Sequence, residues 1–270
     1  MEWIEFVRVP HVPAAGEIVH ATEVFEQAGG GGAVAAVQLC KLAGACTFFT
    51  ALGDDPIGRR CAADLEARGV ELQVVWRDVP QRRAVTHVDD AGERTITVLG
   101  DRLVPGAADP LPWESLAGYD GIYLTGSDPD GVRAARRATA LVATSRVLPL
   151  LAEAAVELDA LVGSGKDAGE RYRPGDLDPP PLYAVMTAGE RGGTWQEATS
   201  DPVAFRAEPL PGAIANAYGA GDSFAAGLTY GLAAGERIEG AVRLGARCGA
   251  ACMTGRDAYA GQLDLQMHRE

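Results

Sequence analysis

Apolar side chains recur along this chain in two alternating rhythms. In residues 28–44, AGGGGAVAAVQLCKLAG, a glycine-rich loop runs into Val34, Val37 and Leu42, spaced to share one helical face, and Gly44 supplies a stop. Residues 46–52, CTFFTAL, predict a short buried strand. The stretch GDDPIGRRCAADLEARG predicts a second helix: Asp55 caps it, Pro56 suits the first turn, Ile57, Cys61 and Leu65 share a face, and Gly69 closes it. Residues 83–99 break the pattern, because RRAVTHVDD and ERTITVLG alternate with period two about a turn at Ala91 and Gly92, as an antiparallel hairpin does. Strand-like runs return at 121–126, 158–164 and 183–189, with an alanine-rich helix predicted over 132–143. Phe224, Leu228 and Leu232 recur every four residues before Gly235 and predict a helix over 223–234.

Strand and helix in alternation predict an α/β domain with a mostly parallel central sheet and helices on both faces, in three layers. A hairpin inserted into such a series packs as a lid or a subsidiary sheet. The 270 residues suit one large domain, or a core domain plus a small appendage, with one principal core, and residues 174–182, PGDLDPPPL, are too rich in proline for a central element and predict surface linker.

Composition narrows the function. A formal charge of −13 disfavours nucleic acid and anionic membrane surfaces as partners, so an anionic substrate needs a local positive trap. No apolar run approaches the roughly 20 residues that cross a bilayer, and no leader-like pattern opens the sequence, which predicts a cytoplasmic protein. The 5 cysteines form no CxxC pair, and Cys248 and Cys252, four apart on a predicted helix, are expected as buried thiols. His11, His20, His87 and His268 lack metal-ligand spacing, and the four tryptophans are scattered as packing residues are.

The candidate chemistry lies in AYGAGDSFAAGL, residues 217–228. Gly219, Ala220 and Gly221 form the first turn of the predicted helix, whose unpaired N–H groups and dipole favour an anion, and Asp222 sits at the rim. A carboxylate there can take a proton from a hydroxyl while the amides stabilise a transferring phosphoryl group. The same residues equally fit a tight turn with a favourable first-turn charge.

The longer stretch NAYGAGDSFAAGLTYGLAAG closely resembles the C-terminal signature of the PfkB, or ribokinase-like, carbohydrate kinases. PAAGEIV at 13–19, the glycine loop followed by TALGDDPIGRR, and YAVMTAGERGG at 183–193 agree in order, so the resemblance covers nearly the whole chain. It implies a single ribokinase-like domain with a small β lid at about 8–28 and 82–100, and phosphoryl transfer from ATP with Mg²⁺ to a hydroxyl of a sugar or nucleoside-like acceptor. By position, Asp222 matches the base and Gly219, Ala220 and Gly221 the anion hole. Thr187, Gly189, Gly192 and Asn216 match the nucleotide site, and the helix carrying Ala246 and Gly249 borders the adenine. Gly30, Gly31 and Gly32 fall in the sugar-facing loop, and a homodimer through the lid is implied.

The pattern also departs from the family's. The opening MEWIEFVRVPHVP starts close to the Pro13 landmark, so much of the first strand and its sugar-binding aspartate are expected to be missing, with Glu2 or Glu5 as substitutes or as exposed edge residues. Val34 stands where a sugar-binding asparagine is usual, and Tyr218 where a small threonine is common. The Asn-x-x-Glu motif that supports Mg²⁺ aligns with Ser164 and Asp167, which makes Asp167 the metal-side candidate or a plain surface residue. Arg82 and Arg83 can grip an anionic acceptor or form a solvated edge. These departures leave a rival reading, a sugar or nucleotide sensor of the same fold without chemistry. A nucleotide-binding oxidoreductase is disfavoured, because the glycines lack GxGxxG spacing after a strand.

Overall fold

The computed structural model describes residues 1–198 and 200–265. Contacts divide the described residues into two compact units, one made of Met1–Leu103, Leu210–Ala220 and residues 251–265, the other of Val104–Pro209 and Gly221–Ala250. No helix among the described residues is long and apolar enough to cross a membrane.

The first unit opens with β1 (Glu2–Arg8) and β2 (Glu23–Gly29), followed by α1 (Gly31–Ala43), β3 (Thr47–Gly53), α2 (Pro56–Ala67), β4 (Glu71–Arg77) and the hairpin β5 (Arg83–Val88) and β6 (Arg94–Leu99). The expected caps are in place: Asp55 accepts from Gly58 N–H at 2.7 Å, and Gly44 ends α1 with φ 85°. Strands β2, β1, β5 and β6 form a four-stranded sheet in that order, with β1 antiparallel to β2 and parallel to β5. Residues 2–8 are thus a strand of this separate sheet, while β3 and β4 pair only with each other among the described residues. Register places Ile4 and Phe6 on one face beside Gln27 and Phe25, and both are fully buried with Val34, Val37, Leu52 and Leu65. Burying each such side chain stabilises the unit by about 1.5–3 kcal/mol.

The second unit carries β7 (Gly121–Leu124), α3 (Pro129–Ala135), β8 (Ala140–Thr144), α4 (Leu148–Ala154), β9 (Ala160–Ser164), β10 (Tyr183–Thr187), β11 (Gly193–Glu197), β12 (Val203–Phe205), α5 (Ala220–Ala233) and α6 (Ile238–Cys252). Six strands form one sheet, parallel from β7 to β10 and antiparallel at β11 and β12. Val142, Val162 and Val185 pack with Phe224, Leu228 and Val242 of α5 and α6, while Leu141 and Leu161, the alternate positions, are also fully buried. Both faces are therefore covered, as a parallel sheet requires. Cys248 and Cys252 are buried on α6 as expected.

One prediction fails here: residues 132–143 are not one helix. The helix ends at Ala135, and Arg136 then reaches Asp159 at 2.6 Å and the carbonyls of Ala138 and Thr139 at 2.9 and 3.1 Å, turning the chain back toward the sheet. Every residue of β8 is buried between β7 and β9, so burial overrides alanine's helix preference and erases the period-two signal.

Candidate active site

In the first unit the segment leading to Gly219 is tied down along its length. Ala215 and Asn216 donate to Met253 O, and Ala217 donates to Gly92 O in the hairpin turn at 3.1 Å. Arg8 of β1 reaches Ala215 O and Arg256 O, at 3.3 and 2.8 Å. Asn216 is fully buried; its Oδ1 accepts from Tyr218 N–H at 2.9 Å and its Nδ2 donates to Arg256 O, so its amide shapes the turn. Tyr218 lies edge-on against Phe6, with centroids 5.2 Å apart, and its hydroxyl accepts from Gly30 N–H at 2.8 Å.

Gly219 has φ +84°, the left-handed region that favours glycine, and a Cβ there would lie 2.9 Å from Val34 Cγ1. Val34, where the resemblance implies a sugar-binding asparagine, is fully buried in the core. Gly30, with φ 87°, caps α1, and Gly31 and Gly32 form its first turn. Glu2 comes against this loop, its Cγ 3.4 Å from where a Cβ on Gly30 would stand, and it pairs with Arg82 at 3.0 Å. Glu2 is the half-buried one of the two candidate glutamates and Glu5 is exposed. Arg83 is exposed too. Burial pushes the Asp55 carboxyl up, but the N–H groups of Gln81, Gly58 and Ile57 prevail and hold it below the usual range, with the Arg83 charge adding to them.

The second unit gathers its polar groups at the carboxyl ends of the parallel strands, where open α/β sheets bind ligands. Tyr123 stands on β7, Thr144 and Arg146 at the end of β8, Ser164 at the end of β9 and Thr187 at the end of β10. Burial pushes the Tyr123 phenol up, the Asp222 charge adds to this, Glu170 and Arg146 are felt as well, and a hydrogen bond with Thr144 opposes it. Asp222 lies in the first turn of α5, half-buried, and a Cβ on neighbouring Gly221 would meet nothing within 4 Å. Thr187 Oγ1 donates to Gly163 O at 3.2 Å. Beyond it Gly189 and buried Gly192 close the turn into β11, and Lys166 Nζ comes 2.8 Å from where a Cβ on Gly189 would stand. Ala246 packs in the core with Phe224, and Gly249 is buried on the same helix.

Asp167 fits a metal poorly. Its Oδ1 accepts from Gly169 N–H at 2.8 Å and its Oδ2 meets Arg146 at 2.8 Å. These two contacts, the amide first, hold its carboxyl below the usual range. Glu170, which the sequence did not single out, contacts the same guanidinium and accepts from Ser164 N–H at 2.8 Å. Among the described residues no three His, Cys, Asp or Glu side chains are grouped to hold a metal ion. The carboxylates at this position are already occupied by a guanidinium and do not fit Mg²⁺. His268 lies outside the described residues.

The model of the pfkB family of carbohydrate kinases matches residues 1–155 and 183–264. The chain belongs to this family. Its members are phosphotransferases with an alcohol group as acceptor. The pfkB chain is 33% identical to a ribokinase of Dictyostelium discoideum over 100 residues and 36% identical to a fructokinase of Vibrio alginolyticus over 80. Those stretches are 36% and 29% of this chain and span 31% and 26% of the relatives' own lengths. A ribokinase of Cryptococcus neoformans, solved in complex with ADP, superposes with a TM-score of 0.76 at 21% identity, over 98% of this chain and 95% of the other. The pfkB chain therefore has the ribokinase-like α/β fold expected from its sequence.

Proposed function

We propose that this protein transfers the γ-phosphoryl group of ATP to a hydroxyl of a sugar or related small acceptor. The observation that carries the reading is the opening of α5: a left-handed Gly219 just before the helix, then open space over Gly221 and a half-buried carboxylate at Asp222 in its first turn. Asp222 takes the proton from the acceptor hydroxyl, and the amides of Gly219, Ala220 and Gly221, with the helix dipole, hold the charge of the phosphoryl group in flight. Bound ATP supplies that group, as the ADP in the Cryptococcus relative supports. Lys166 and the turn from Thr187 through Gly189 to Gly192 receive its phosphates, and α6, with Ala246 and Gly249, borders the base. Asn216 acts by holding the turn that carries Gly219.

On the acceptor side Gly30, Gly31, Gly32, Glu2 and Arg83 face the substrate, and residues 8–28 and 82–100 act as a lid. Exposed Ile96, Val98 and Leu99 on β6 support pairing of two copies through that sheet, which solution mass measures directly. Five cysteines, none of them in a disulfide among the described residues, support a reducing, cytoplasmic setting. The test is an ADP-release assay with ATP over sugars, sugar phosphates and nucleosides, with the product identified by mass. Phosphorylation of at least one hydroxylic acceptor is expected; ligand-induced thermal stabilisation with no phosphorylated product from any acceptor contradicts the proposal.

A further inference from the structure

Arg146 stands at the end of β8 with two carboxylates on one of its nitrogens. Its Nη2 meets Asp167 Oδ2 at 2.8 Å and also Glu170 Oε1. The other oxygens of those carboxylates take the N–H groups of Gly169 and Ser164, both at 2.8 Å, so all four oxygens have donors. A divalent ion wants several free oxygens in near-octahedral array, and it would have to push a guanidinium aside to reach these. Both carboxylates are met through Nη2, which leaves the other guanidinium donors out of these two pairs on a side chain that is 53% exposed. Ser145, next in the chain, is locked to Glu170 O at 2.6 Å, so the two strand ends that carry the clamp are bound to each other. The Tyr123 phenol feels the charges of Asp222, Glu170 and Arg146 together, which puts the clamp at the same end of the sheet as Asp222.

We infer that Arg146 is the built-in cation of the phosphate site in the second unit, and that Asp167 and Glu170 orient this guanidinium instead of holding a divalent ion. Its ligand class is a polyphosphate, for which a planar fork of N–H donors on a fixed positive charge is suited. In a chain of net charge −13 it supplies the local positive trap that an anionic ligand needs. The inference rests on the phosphotransferase reading only for naming that polyphosphate as a nucleotide's.

Two measurements test it, both on the full chain and neither requiring turnover. In the first, Mn²⁺ is titrated by electron paramagnetic resonance into nucleotide-free protein. Wild type is expected to retain no stoichiometric ion, whereas Arg146→Met, with its carboxylates released, gains one site at least tenfold tighter. A stoichiometric Mn²⁺ in wild type that Arg146→Met leaves unchanged overturns the inference. In the second, ADP and tripolyphosphate are titrated calorimetrically in excess EDTA. Both are expected to bind wild type and to weaken at least tenfold in Arg146→Met, with Arg146→Lys in between. Equal affinity in all three overturns it. Should Arg146→Met fail to fold by circular dichroism, Arg146→Lys, which keeps the charge and loses the fork, carries the comparison. Absence of phosphoryl transfer to every acceptor would defeat the kinase reading and leave both titrations interpretable.

Discussion

The Tyr218 hydroxyl accepts from Gly30 N–H at 2.8 Å, so the segment that precedes Asp222 in the chain is pinned to the loop that opens α1. The tyrosine hydroxyl thus takes a donor from the glycine-rich loop. Tyr218→Phe keeps the ring against Phe6 and removes the acceptor, leaving Gly30 N–H without this partner. A loss of about 1 kcal/mol in urea unfolding is expected, and an unchanged midpoint would mean that the bond does not form in solution.

Gly219 and Val34 are packed against each other by the same geometry. Gly219→Ala must adopt φ +84° and bring its methyl to 2.9 Å from Val34 Cγ1. The left-handed backbone alone costs about 1–2 kcal/mol. Adding Val34→Ala removes the clash and leaves the strain, so a double-mutant cycle should return a favourable coupling of at least about 0.5 kcal/mol. Strict additivity would show that the two residues are not in contact.

How much of this was legible in the sequence depended on whether the signal was local. The caps at Asp55 and Gly44, the hairpin about Gly92 and the helix after Asp222 follow from side chains within a few residues of one another. Strand β8 was hidden because its neighbours are distant in sequence and bury both of its faces, leaving an alanine-rich run that resembles a helix. The role of Asn216 inside its own turn, and that of Glu170 six residues beyond Ser164, needed the fold to bring Arg256 and Arg146 to them. Conversely, the glycine-rich turn before Asp222 was recognisable because both its shape and its charge are written in four consecutive residues.

The lowered Asp167 carboxyl sets a direction for acid behaviour. Its folded value lies below the unfolded value of about 3.9, so its contribution to stability is fully present above that pH and is lost as pH falls through the folded value. The pair with Arg146 is half exposed, which limits the effect to below about 1 kcal/mol, or about 2–4 °C in Tm. Asp167→Asn is expected to melt lower than wild type at pH 5, with the two curves converging toward pH 2.5. Parallel curves across that range would contradict the assignment.

Lys166 should act on ligand rather than on fold. It is exposed, with its Nζ at the Gly189 turn, so Lys166→Ala is expected to leave the melting temperature unchanged and weaken ADP binding about tenfold, roughly 1.4 kcal/mol. Calorimetry decides it, and an unaltered ADP affinity would remove the residue from the phosphate site.

The most direct test of the central claim is single-turnover phosphoryl transfer by Asp222→Asn, with ADP binding and thermal stability measured on the same preparation. The asparagine keeps the side chain's size and hydrogen bonding but cannot take a proton at neutral pH. Transfer is expected to fall by about 10²–10⁴ while the fold and ADP affinity are retained. Transfer at the wild-type rate would contradict the role assigned to Asp222.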